Sequence, residues 1–376
     1  GYQPSAGEPD EYQAEFNDAR AAFERRDGTL TTVLDVLVSP ESDGEVRRLT
    51  LSNHGTRVRE IEVTSYAELA LAPPASDWSH PAFSKLFVET DYIPEKGLLL
   101  ATRRRRSPHE PEVWAAAHSV VEGEELGGLQ VETDRARFIG RARSLRDPIA
   151  MYDQRPLSNT VGAVLDPIFA SRRRVRIRPG GSVRIAFWTL VSRSREDVIA
   201  LADRHREPNA FDRVTTLAWS YGQIERHHIG ITPDQANQYQ RLASHLLYAN
   251  PALRAPPQTI ERGAQPANAL WGHGISGDLP IILAHADEEE DLPFVRDLLR
   301  AHEYWQRRQF DVDLVILNEK ATSYVQDLQL ALESLVRIGH ARRRHTGHAL
   351  RGNVFVLRRD LIAPAIRNAL MAVARV

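Results

Sequence analysis

The chain changes its hydrophobic rhythm twice. Up to about residue 192, apolar and polar positions alternate in short runs closed by turn residues. Thr29 to Val38 is β-branched and lies between Asp27-Gly28 and Pro40; Val46 to Leu51 follows, and Arg59 to Tyr66 comes after the turn at Asn53-His54-Gly55-Thr56. Lys85 to Glu89, Gly97 to Thr102, Val113 to Val120, Ala136 to Ile139, Val161 to Leu165, Arg172 to Arg178 and Val183 to Val191 continue the series. A period of two between turn signals marks half-buried antiparallel strands. Strands this numerous and short predict one all-β domain over residues 1–192, a sandwich or a barrel.

Residues 193–255 carry a helical period instead. Ser194 followed by Glu196 and Asp197 is a helix start: a capping hydroxyl and then acids in the first turn. Phe211 to Ile229 predicts a second helix. Thr232-Pro233-Asp234 opens a third, with proline at its first position. Tyr239, Leu242, Leu246 and Leu247 are expected on one face of it. From residue 256 to 376 strand and helix alternate. Pro280 to Ala286, Val312 to Leu317 and Asn353 to Leu357 read as strands, and Leu292 to Gln309 and Tyr324 to Ile338 as the helices between them. That order favours parallel pairing in a small three-stranded α/β unit. Arg342 to Gly352 reads as an exposed loop, and no internal repeat is visible.

Composition narrows the function. Lys and Arg total 48 against 50 Asp and Glu, which argues against bulk attraction to nucleic acid. No apolar run reaches the roughly 20 residues of a membrane helix, so no membrane contact is expected of this segment. Without cysteine there is no disulfide, thiolate metal site or Cys nucleophile. The chain opens on Gly1-Tyr2-Gln3-Pro4 and stops inside the apolar pattern Ala365 to Val373. The expectation is a piece cut from a longer polypeptide.

Several strings then become recognisable. Tyr66-Ala67-Glu68, Pro81 to Thr90, Thr133-Asp134-Arg135 with Phe138 to Arg141, and Asp166-Pro167-Ile168 resemble the N-terminal β-sandwich of glycoside hydrolase family 94, the cellobiose-phosphorylase family. Trp271 to Ile281, Leu298 to Trp305 and Asp313 to Glu319 are similar to the cyclic β-1,2-glucan synthases. The resemblance spans nearly the whole chain. It implies an α+β multidomain fold: a large antiparallel β-sandwich, of the galactose-mutarotase-like supersandwich type, then linker helices and the small three-stranded α/β unit. It also implies a very large parent enzyme that uses UDP-glucose, anchored in the bacterial inner membrane with this segment on the cytoplasmic side. Partners would be the other domains of the same polypeptide. In the phosphorylases a helical barrel follows the sandwich and carries the catalytic aspartate. Here Thr232 to Tyr248 is similar to the opening helix of that barrel, and the α/β unit then takes its place. No position matches the catalytic aspartate, so no catalytic residue, cofactor or metal is carried over. The leading expectation is a non-catalytic structural and interdomain module. The alternatives are a carbohydrate-binding module for β-1,2-glucan and a glycoside phosphorylase or hydrolase domain.

The candidate residues follow. Glycoside chemistry needs two carboxyl groups, and Asp278 and Glu319 flank the α/β strands. Asn318 and Glu319 follow the second strand, where ligands of parallel sheets bind. Asp278 precedes the first strand, which weakens the pair. Trp271 and His273 sit in a glycine-rich loop that could approach a sugar face. That loop lacks the lysine of a P-loop. Trp78, His80 and Phe83 are candidates for interdomain contact, because the corresponding phosphorylase loops reach toward the barrel. His227-His228 diverge on a helix and His302-Glu303 fits no zinc spacing, so neither is read as a metal site. Arg103 to Arg106 reads as a solvated hairpin end.

Overall fold

The structure, a computed structural model, describes residues 7–207, 209–320, 327–343 and 352–376. It divides into two compact units, Gly1–Gly222 and Gln223–Val376.

The first unit starts with five strands, β1 (Glu11–Phe16), β2 (Ala21–Asp27), β3 (Leu30–Val38), β4 (Gly44–Asn53) and β5 (Arg59–Glu68). Two short helices follow, α1 (Pro74–Ser79) and α2 (Pro81–Lys85). Then come β6 (Val88–Ile93), β7 (Leu98–Arg103), β8 (Trp114–Glu122), β9 (Glu124–Glu125) and β10 (Gln130–Asp134). Helix α3 (Arg135–Ile139) precedes β11 (Gly162–Ala163), β12 (Pro167–Ile177) and β13 (Ser182–Ser192); helix α4 (Arg195–Arg204) follows, and α5 (Ala210–Ile229) runs from the first unit into the second.

Nine of these strands form one sheet in the order β1-β2-β3-β4-β13-β8-β7-β6-β11. A second sheet has the order β10-β12-β5, with β9 beside β12. All pairings in both sheets are antiparallel. Between the sheets, Leu51 and Ile185 of the large one meet Val175 and Ile177 of the small one. The outer face of the large sheet is buried too. Leu98, Leu100 and Trp188 pack there on Val198, Leu201 and Phe211 of α4 and α5. Because β7 is covered on both sides, Leu98 to Ala101 are all buried and the period-two signal disappears there.

The structure corrects several local expectations. Lys85 to Glu89 is not a strand: α2 occupies its start and β6 begins at Val88. Ala136 to Ile139 is the helix α3, because the Asp134 carboxylate accepts the Ala136 N–H at 2.9 Å and caps it. Only Gly162 and Ala163 of the expected strand at 161–165 pair, and Leu165 is exposed. Ser194 caps α4 as expected, accepting the Asp197 N–H at 3.0 Å.

In the second unit, α6 (Pro233–Leu247) is closed by a capping box between Thr232 and Gln235. Tyr239 and Leu246 are buried on it, but Leu247 points to solvent at 57% exposure, because it lies one step past the apolar stripe. Next come α7 (Pro257–Arg262), a 3₁₀ turn over Ala267–His273, β14 (Ile281–Ala286), α8 (Leu292–Arg307), β15 (Asp313–Asn318), α9 (Asp327–Arg343), β16 (Val354–Arg358) and α10 (Pro364–Val373). The start of the helix expected at 324–338, and most of the loop expected at 342–352, lie outside the described residues. The three strands pair in parallel in the order β14-β15-β16. Ile282, Ala284, Leu314 and Ile316 face Val295, Leu298 and Leu332 of α8 and α9, while Val315 and Leu317 face Leu270, Ile275 and Leu370. Covered on both faces, β15 is buried from end to end.

Candidate functional site

The register of the parallel sheet aligns Ala286, Asn318 and Arg358 at the carboxyl ends of β14, β15 and β16. Side chains from all three ends converge beside them. Glu319 is the hub, and its side chain is only 6% exposed. Its Oε1 lies 2.8 Å from His285 Nδ1 and accepts from Arg367 Nη2 at 2.7 Å. Its Oε2 is 3.2 Å from Arg359 Nη1. Burial pushes the Glu319 carboxyl up, but the His285 hydrogen bond and the charges of Arg367 and Arg359 outweigh it and hold the group below the usual carboxylate range. Asn318 is buried beside it, donating to Gln329 Oε1 at 3.0 Å and accepting the Lys320 N–H at 3.1 Å.

Strand-end reasoning therefore locates Asn318 and Glu319, but not the histidine and arginines around Glu319. His285, Arg359 and Arg367 arrive from β14, the turn after β16 and α10, and no short spacing joins them to Glu319. Chemically the hub is a carboxylate held below its usual range, with Oε1 hydrogen-bonded and Oε2 ion-paired to Arg359 but without a hydrogen bond among the described residues.

The other candidates lie apart from this cluster. Asp278 sits at the opposite end of the sheet, where its charge acts on Asp313 at the start of β15. The expected carboxyl pair is not brought together. Trp271 is 63% exposed, and its indole donates to the Ser276 carbonyl at 3.2 Å; His273 is half-buried. In the sandwich unit, Trp78 on α1 is 84% exposed and Phe83 on α2 51%. His80 is exposed at the junction of those helices. Leu86 and Leu165 add further exposed apolar surface, and Lys85, next to Leu86, is tied to Asp166 at 2.7 Å.

His227 and His228 are exposed on α5, while His302 is buried with Nε2 at 2.8 Å from the Val312 carbonyl. Arg103 departs from the solvated hairpin end expected of Arg103 to Arg106, because it is buried against Glu110. Among the described residues no group of three or more His, Asp or Glu is placed to hold a metal, and no helix is long and apolar enough to cross a membrane.

A family model described as "Glycosyl hydrolase 94, supersandwich domain" matches residues 1–208. Over 362 residues, 96% of its length, the chain is 40% identical to the "Cyclic beta-(1,2)-glucan synthase NdvB" of Rhizobium meliloti (strain 1021). It spans 13% of the length of that protein. Among solved structures, a bacterial glucoamylase complexed with acarbose is similar at 9% identity, covering 61% of this chain and 31% of that one, with a TM-score of 0.38. A family GH92 inverting mannosidase from Bacteroides thetaiotaomicron VPI-5482 is similar at 11% identity, covering 58% and 23%, with a TM-score of 0.25.

Proposed function

Because the chain belongs to the glycosyl hydrolase 94 supersandwich family, we propose that it is a non-catalytic interdomain module of a much larger enzyme that makes cyclic β-1,2-glucan. The parent would be held at the inner membrane, with this module on the cytoplasmic side docked against other domains of the same polypeptide. The observation that carries the reading is the apolar surface of α1 and α2, where Trp78, Phe83 and Leu86 stand exposed. Large aromatic side chains left in water within one short stretch are the signature of a covered face. The contacts of Glu319 with Arg359, Arg367 and the His285 ring support the non-catalytic part.

Two measurements test this. In the intact synthase, replacing Trp78 and Phe83 together by Asp is expected to lower cyclic glucan output at least tenfold, while the isolated chain keeps its circular dichroism and melting point. Undiminished output would remove the docking role. The isolated chain is expected to release neither glucose 1-phosphate nor new reducing ends from β-1,2-glucan. Release that disappears in Glu319→Gln would make the module an enzyme.

A further inference from the structure

The small parallel sheet has one edge that is only partly paired. Strands β14, β15 and β16 follow one another in space as they do in sequence, with α8 and α9 packed on one face. Helix α10 lies on the opposite face, over Val315 and Leu317. A crossover that reverses direction keeps its hand only by passing over the other face. Helix α10 therefore carries the chain back across the sheet, past β15, to the far side of β14.

There the chain begins to pair. The Arg375 N–H donates to the Ile281 carbonyl at 2.9 Å, and the Leu283 N–H donates to the Val376 carbonyl at 2.9 Å. Later residues meet later residues, so the two segments run parallel. Two anchors hold this segment in place. The Arg375 guanidinium donates to the Leu246 and Leu247 carbonyls at the end of α6, at 3.0 and 3.1 Å. Val376 packs on the apolar layer of Ile282 and Ala284. From β16 through β15 and β14 to the returning segment, the order is that of a doubly wound sheet.

The pairing stops short of the end of β14. The Pro280 and Ala286 carbonyls accept from Asp313 and Glu319, on the β15 side, whereas Ile281 and Leu283 bond the returning segment. Alternation turns the Leu283 carbonyl and the His285 N–H to that same outer edge. Neither has a hydrogen-bond partner among the described residues. Unpaired groups in a row at a sheet edge are a template for a strand. The segment already seated at their head sets the direction and the register of that strand. About two residues beyond Val376 bring it level with His285. We infer that the outer edge of β14 is a strand-addition site, filled by the polypeptide that continues from Val376 in the larger enzyme as a fourth parallel strand. This inference rests on the reading of the chain as one module of a longer polypeptide. It makes the α/β unit and the next part of the enzyme share one sheet, and brings the connecting chain out at the strand ends beside His285 and Glu319.

Amide hydrogen exchange, read at single residues, distinguishes a filled edge from a bare one. The proteins compared are the 376-residue chain, the same chain lengthened by about ten residues of its continuation, and the intact synthase. The His285 amide is expected to exchange about a hundredfold more slowly in the two longer proteins than in the shorter one. The Leu314 amide, bonded to the Asn353 carbonyl inside the sheet, is expected to exchange alike in all three. His285→Ala keeps the backbone N–H and is expected to keep the protection at that position. Equal exchange at His285 in all three proteins overturns the assignment. Protection in the intact synthase that the lengthened chain lacks also overturns it, because another domain would then fill the edge. Protection of the shorter chain that grows with its concentration assigns the edge to a second copy instead. Loss of protection in His285→Ala assigns the effect to the imidazole and overturns the strand. None of these outcomes touches docking through α1 and α2, which is read from glucan output.

Discussion

His118, on β8, is buried with its ring stacked 6.3 Å from Trp188. Burial, with the nearby charges of Arg206, His205 and Arg173, pushes its pKa down from 6.5 to about 3. The folded chain therefore keeps this ring neutral where the unfolded chain would protonate it. Its contribution is fully present above pH 6.5 and is lost as pH falls toward 3. His118→Phe is expected to flatten the acid limb of the stability curve by on the order of 3 kcal/mol at pH 4, measured by denaturant unfolding across pH. Parallel curves for the two proteins would contradict the neutral-ring account. At this scale the candidate site was only half legible. The strand-end rule locates Glu319, yet His285 and Arg367 are 34 and 48 residues away from it in sequence. Arg103 to Arg106 reads as a charged hairpin end, because a run of arginines does not reveal that Glu110 and Phe87 draw some of them inward.

Whole elements followed the chain's periodicity wherever one face was wet. β3, β4, β5, β12 and β13 lie close to their alternating runs. β1 and β2 escaped notice because they bury little and so carry no apolar alternation. The segment Ala136 to Ile139 alternates too, but the Asp134 cap and the tight exit at Gly140, with φ of 85°, make it helical. Local capping decides over a pattern only four residues long. Elements also meet where no pattern announces it. A Cβ on Gly263, at the end of α7, would collide with the Asn368 carbonyl of α10 and stand 2.6 Å from the Ala372 methyl. Gly263 has an ordinary negative φ, so close approach alone requires glycine there. Gly263→Ala is expected to cost about 3 kcal/mol, read from the denaturation midpoint. Gly230→Ala, which meets no neighbour and suffers only its φ of 73°, should cost less. Equal losses would refute the helix contact.

For the molecule as a whole, two cores of separate composition predict two unfolding events. His118 belongs to the sandwich unit and Gly263 to the α/β unit. Calorimetry should resolve two transitions, with His118→Phe changing the pH response of one and Gly263→Ala lowering only the other. A single transition moved by both variants would mean that the units fold as one. The order of sandwich, helices and α/β layer was legible because each has its own period. Which faces stay bare was not, since Trp78 and Phe83 have the same hydrophobicity as core residues.

The large sheet ends on β1, and all six of its residues are exposed. It offers hydrogen bonds to β2 and sets Phe16 edge-on against Phe23, but buries none of its own residues. Such a strand governs how copies of the molecule behave toward one another more than how each one folds. A matching segment from another copy could displace it with little loss, and its outer edge remains a template for further pairing. Glu11 and Glu15 are drawn to arginines, Arg26 at 2.9 Å and Arg20 at 3.7 Å, and so leave little net charge to guard that edge. At high protein concentration, clumping of intact molecules through that edge is the expected first symptom, ahead of any loss of the cores.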